Sequence, residues 1–276
     1  MALFHGATYS GPCETIFADR FPVITENVQP LIDFFNENKS NLLFSPDAKY
    51  RKLVFDKFLA SVGRAVAPYG TLGNFIKSCF KSDNKKSNYL VLKAKCQSEW
   101  FHWGRMGHWC FAESLSYFVK APIEPPDMEF SEGKSHRSGW AFCIGRDDLT
   151  GSKISIADTV HLEQTARDYI NSLDFEKNVG FFSLETACCN YKRQHMGSRY
   201  GGCYIDEQHA EIISVSENWP SYKWLWDKYL EGRQEVFPTS LLFENSPYAK
   251  TAKAYEPSWN KSFKSSGRIQ RVEAWS

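Results

Sequence analysis

YLVLKA, residues 89–94, reads as a β-strand, and that reading sets the fold class for the chain around it. The preceding SDNKKSN (82–88) is a polar turn signal. WAFCI (140–144) is a second strand, and Val179–Leu184 and Cys203–Ile205 are short ones. EIISV (211–215) is the strongest in the C-terminal half because it is rich in β-branched residues. ALFH (2–5) is a short buried strand at the other end.

Between these runs the apolar residues recur at helical spacing. Glu26–Glu37 carries Val28, Leu31, Ile32 and Phe35, and Lys49–Val66 carries Leu53, Phe55, Phe58, Leu59 and Val62. With Leu72–Phe80 they make 22–83 a helical block. Glu113–Val119, Ile156–Leu173 with Asp158 as N-cap, and the Trp- and Tyr-rich Ser221–Leu230 are further helices. APIEPPD (121–127) is irregular, since three prolines break a ladder or a helix. The expected class is α+β: a single domain over 1–245 with a split, mostly antiparallel β core, a helical N-terminal insertion at 22–83, and a polar tail over 246–276.

The composition fits a folded chain: 42% hydrophobic, 24% charged and 16% aromatic. A formal charge of +1 argues against a general nucleic-acid coat or an acidic-membrane binder, while leaving room for a local basic patch. No apolar run approaches the roughly eighteen residues of a membrane span. MALFHGATYSGPCE lacks a basic start followed by an apolar stretch, so a cytoplasmic setting is expected. The eight cysteines form no CxxC pair, so no metal is expected, and the lack of a signal-peptide pattern together with the chain size favours free thiols.

Three short stretches could carry chemistry. Phe4-His5-Gly6-Ala7-Thr8 ends a strand with a ring, a permissive backbone and a hydroxyl. GHWCFAESLSYF (107–118) runs from a glycine turn into a helix that places Ser114 and Tyr117 on one face. QHAEIISV (208–215) opens an apolar strand with Glu211, whose period-two partners are Ile213 and Val215. A carboxylate on such a face needs a partner or a ligand.

Taken in order, the three resemble the motifs of the ADP-ribosyltransferase superfamily in its His-Tyr-Glu branch. HGATYSGPCETIFADRF resembles that family's opening, with Ala7 inserted before Thr8; GHWCFAESLSYF is similar to its second motif and HAEIISV to its third. The helical insertion accounts for the long interval between the first two. The resemblance implies that NAD is the substrate and that ADP-ribose passes to a protein or nucleic-acid acceptor with release of nicotinamide. It implies catalytic roles for His5, Tyr117 and Glu211, and cofactor binding by His5, Gly6, Thr8, Ser114 and Tyr117. His5 would bond the NAD ribose and Gly6 the nicotinamide amide, Tyr117 would stack on the nicotinamide, and Glu211 would stabilise the oxocarbenium-like state.

Two other readings stay open. Cys110 before a helix and His209 heading a strand resemble a papain-like cysteine protease or hydrolase, with Asn218 or Asp206 orienting the histidine. The aromatic segment WPSYKWLWDKYLEGR (219–233) fits a non-enzymatic interaction protein.

Overall fold

The computed structural model describes residues 2, 4–8, 10–21, 27–42, 54–173, 180–196 and, within 217–232, all but 226, 229 and 230. In chain order the helices are α1 (Gly11–Arg20), α2 (Gln29–Asn38), α3 (Phe55–Val66), α4 (Leu72–Lys77), α5 (Lys85–Glu99), α6 (Arg105–Val119), α7 (Lys134–Cys143), α8 (Ile156–Ser172) and α9 (Phe181–His195). Shorter helical turns lie at Phe4–Thr8, Ala67–Tyr69, Asp147–Thr150 and Pro220–Tyr222. No strand occurs among the described residues.

The expected α+β class, with its split antiparallel core, is therefore overturned. YLVLKA lies inside α5: Tyr89, Leu92 and Cys96 are buried on one face while Leu90 and Val91 are 48% and 36% exposed. That is helical periodicity, hidden within an apolar run too short to show it. Trp140–Cys143 is the second half of α7, and Phe181–Leu184 is the first turn of α9. Phe4 and His5 belong to a π-helical turn, Phe4–Thr8. The segments 203–205 and 211–215, and the tail 246–276, lie outside the described residues.

The helical expectations fare better, because amphipathic spacing recurs over several turns. Helices α2, α3 and α4, joined by turns, make up most of the described part of 22–83, and α8 spans nearly all of 156–173. Its N-cap is Ser155 and not Asp158: the Ser155 hydroxyl accepts the Asp158 N–H at 3.0 Å and donates to the Asp158 carboxylate at 2.6 Å. Residues 113–119 close α6, which begins at Arg105. In 221–230, the described residues beyond Tyr222 are helical at 224–225 and 227–228.

The chain divides into two compact units. The first holds the described residues up to Cys79, then 94–107 and 217–232; the second holds 80–93 and 108–196. Unit 1 has an aromatic interior. Phe35 stacks on Phe55 with centroids 4.0 Å apart, Phe75 on Trp100 at 5.6 Å and Phe58 on Trp103 at 5.8 Å. Its first helix is capped by Ser10, whose hydroxyl accepts the Cys13 N–H at 3.4 Å.

Unit 2 builds its apolar core from Met128, Phe130, Trp140, Leu149, Leu162, Ala166, Leu184 and Cys188. Its closest packing is that of α7 on α9, and Gly139 makes it possible. A Cβ at Gly139 would lie 1.9 Å from the Cys188 carbonyl oxygen, so no larger residue fits without moving backbone.

Candidate active site

The Gly139–Cys188 crossing fixes what faces what one turn away. His136 lies three residues before Gly139 and Glu185 three before Cys188, so the crossing brings them together. His136 Nδ1 lies 3.5 Å from Glu185 Oε1. Cys189, one turn further along α9, reaches the same carboxylate oxygen with its Sγ at 3.7 Å. His136 and Glu185 are buried and Cys189 is half-buried.

The segment before α7 holds these side chains in place. The Met128 carbonyl can only accept, so the 2.8 Å contact makes His136 Nε2 an N–H donor. Glu163 of α8 receives the Met128 and Phe130 N–H groups at 2.8 and 2.7 Å. Arg137 is 5% exposed and donates to three backbone carbonyls: Phe130 at 3.1 Å, Gly151 at 2.7 Å and Ser152 at 3.3 Å. Between the clamped Met128 and Phe130, Glu129 adopts φ +52°, a left-handed conformation costing on the order of 1–3 kcal/mol in a non-glycine residue. Its surroundings hold it there. Its N–H bonds Asp127 at 2.9 Å, and its carboxylate accepts the Tyr89 hydroxyl at 2.9 Å and Lys93 Nζ at 2.8 Å. Lys93 also reaches Glu132 at 2.6 Å.

The ionisation of the site follows from burial. Burial and then the Glu185 charge push the Glu113 carboxyl on α6 up to about 7. Near neutral pH Glu113 is therefore partly protonated beside the Glu185 charge. Burial raises Glu163 to about 6, opposed by its two backbone N–H bonds. His108 is fully buried, with neither ring nitrogen hydrogen-bonded, and burial followed by the Lys93 charge drops it to about 3. On the cationic side, Lys192 of α9 is lowered by burial, then by Lys134 and Arg193. Neither Lys134 nor Lys192 has a carboxylate partner among the described residues.

Of the residues singled out by sequence, the described ones lie in two places: His5, Gly6 and Thr8 in unit 1, and Cys110, Ser114 and Tyr117 on α6, the helix that carries Glu113. His5 is buried in unit 1, lowered by burial to about 3. Gly6 makes room for Phe58, whose Cζ would lie 2.0 Å from an added Cβ. Thr8 donates to Glu14 at 2.9 Å and accepts the Ser10 N–H at 3.4 Å. Ser114 and Tyr117 lie in α6 within unit 2, and the Tyr117 hydroxyl shares a 2.8 Å hydrogen bond with Ser183. Cys110 sits in the second turn of α6, not ahead of a helix, which weakens the dipole argument for its reactivity. Glu211, His209 and Asp206 lie outside the described residues. His136, Glu185 and Glu163 carry no motif of their own. Reading WAFCI and Val179–Leu184 as strands gave the second half of α7 and the start of α9 the wrong secondary structure and so hid their crossing.

A model of the family described as "Amino acid:DNA transferase" matches residues 15–200. The chain belongs to that family. No curated protein and no solved structure matches it. The amino acid:DNA transferase region covers α2–α9 in full, with the α6–α7–α9 cluster inside it. His5, Gly6 and Thr8 precede it, His209 and Glu211 follow it, and Cys110, Ser114 and Tyr117 fall within it. Among the described residues no helix is long and apolar enough to cross a membrane.

Proposed function

We propose that this protein transfers an amino acid to DNA, and that the cluster of Glu113, His136 and Glu185 with its cationic neighbours is where the reactants meet. The family match across residues 15–200 carries this reading, because it names both reactants and contains the whole cluster. The chemistry of the cluster suits them. A free amino acid brings an ammonium, and Glu113, held near neutrality beside Glu185, is a carboxylate that a cation would relieve. DNA brings phosphates. Lys134 in the first turn of α7, with Lys192 and Arg193 in the last turn of α9, supplies positive charge beside Cys189 and His136. A helix N-terminus adds to that field, since its free N–H groups point outward. The near-zero net charge fits local phosphate contacts better than a coat of basic residues.

Joining an amino acid to DNA forms one bond and expels a leaving group carried by one of the two partners. The test therefore offers labelled amino-acid adenylates with unmodified DNA, where AMP would leave, and labelled free amino acids with DNA whose bases carry a phosphate ester, where phosphate would leave. Digestion to nucleosides and mass spectrometry reads the product. The expected result is a nucleoside heavier by one amino acid residue, formed only with the protein present. Labelled NAD forms a parallel arm. ADP-ribose on DNA or protein, with no amino-acid adduct from any donor, would overturn the proposal in favour of ADP-ribosyl transfer.

A further inference from the structure

The geometry points to a divalent transition-metal site formed by His136, Glu185 and Cys189. One ligand atom from each lies within 4.8 Å of the other two. The separations are 3.5 Å from Nδ1 to Oε1, at the outer limit of a nitrogen–oxygen hydrogen bond, and 3.7 Å from Sγ to Oε1, within reach of a thiol donor. They match co-ligation. Bonds of about 2.0 Å to nitrogen and oxygen and 2.3 Å to sulfur, at tetrahedral angles, place such ligand atoms about 3.3–3.6 Å apart.

The supporting shell fits as well. Nε2 is committed to the Met128 carbonyl at 2.8 Å, which fixes the tautomer and turns the Nδ1 lone pair toward the other two ligands. Glu185 and Cys189 are spaced i and i+4, so α9 presents them on one face. The Gly139–Cys188 crossing locks α7 against that face, so the ligands are positioned by packed helices and not by loops. A nitrogen, an oxygen and a sulfur donor select zinc over magnesium or calcium, which require oxygen. Three protein ligands leave a fourth position for water or substrate. This spacing crosses two helices and contains no CxxC, so a search for zinc motifs passes over it.

The site is tested without any transfer assay, so its failure and that of the transferase reading are distinguishable. Full-length protein is stripped with chelator, then titrated with zinc and, separately, with cobalt(II). Metal content is read by mass spectrometry and the cobalt complex by absorption. The expected result is one metal per chain, a raised Tm, and a thiolate-to-cobalt charge-transfer band in the near ultraviolet. Cys189→Ser should abolish that band while its visible ligand-field bands persist. His136→Gln should weaken binding by at least about tenfold. Cys189→Ser is the readable variant if His136→Gln fails to fold, because Cys189 is only half-buried. Failure of the wild type to take up metal, or a charge-transfer band that survives in Cys189→Ser, would overturn the site.

Discussion

Both units are packed helices, yet their interiors are built from different chemistry. Unit 1 is filled by stacked Phe and Trp rings, and His5 is its only buried ionisable side chain among the described residues apart from thiols and Tyr222. Unit 2 buries Lys93, His108, Glu129, His136, Arg137 and Glu185. Charged groups away from water cost several kcal/mol each unless paired, and well-packed apolar residues often serve stability as well. A fold alone does not require them. The contrast supports reading unit 1 as a conventional core and unit 2 as the half shaped by chemistry.

The contrast can be broken at its costliest point. Glu129→Ala removes the buried carboxylate of Lys93, leaving it only the half-exposed Glu132, and removes the acceptor of the Tyr89 hydroxyl, so a loss of about 3 kcal/mol is expected in urea denaturation. Replacing the pair together, Lys93→Met with Glu129→Leu, should recover most of that loss. A double variant as unstable as the single one would mean that the ion pair itself stabilises unit 2.

The two tight glycines sharpen the comparison. Gly139→Ala drives a methyl into backbone, whereas Gly6→Ala meets the far end of the Phe58 side chain. The expected cost is near the upper end of about 1–3 kcal/mol for Gly139→Ala and smaller for Gly6→Ala. Equal melting temperatures for the two would show that α7 and α9 adjust more freely than their crossing implies.

Acid should act through His108. Its folded pKa is depressed to about 3, so the folded state resists a proton that the unfolded chain accepts below about 6.5. The stability tied to its neutral ring is fully present above the unfolded value and is lost as pH falls from there toward 3. Between pH 7 and 5 the expected loss is on the order of 2 kcal/mol. Wild type sums this with a like-signed part from His5 and opposite-signed parts from Glu113 and Glu163, whose raised pKa values add stability as pH falls, so the His108 part is read as a difference: from pH 7 to 5 His108→Phe should lose on the order of 2 kcal/mol less stability than wild type. A variant that loses as much stability as wild type over that range would show that His108 is charged or solvated in the fold.

Much of the helical content was legible in the sequence. Leu31, Ile32 and Phe35, or Phe55, Phe58, Leu59 and Val62, repeat over enough turns to declare a face. YLVLKA and WAFCI misled because five or six residues cannot separate period two from 3.6. The site was less legible for a different reason. His136 and Glu185 acquire a relationship only when Gly139 admits the Cys188 backbone, which no local pattern encodes. The left-handed Glu129 carries no glycine or asparagine to announce its turn.

The central claim is that the ionisable interior of unit 2 handles the amino acid, and steady-state kinetics of amino-acid incorporation into DNA test it most directly. Wild type, Glu113→Gln and the unit 1 cap variant Ser10→Ala are compared at matched folded fractions. Loss of one charged contact to the substrate ammonium predicts a roughly 10–100-fold rise in KM for the amino acid in Glu113→Gln, with kcat changed much less. Ser10→Ala should match wild type. A KM unchanged in Glu113→Gln would contradict the account.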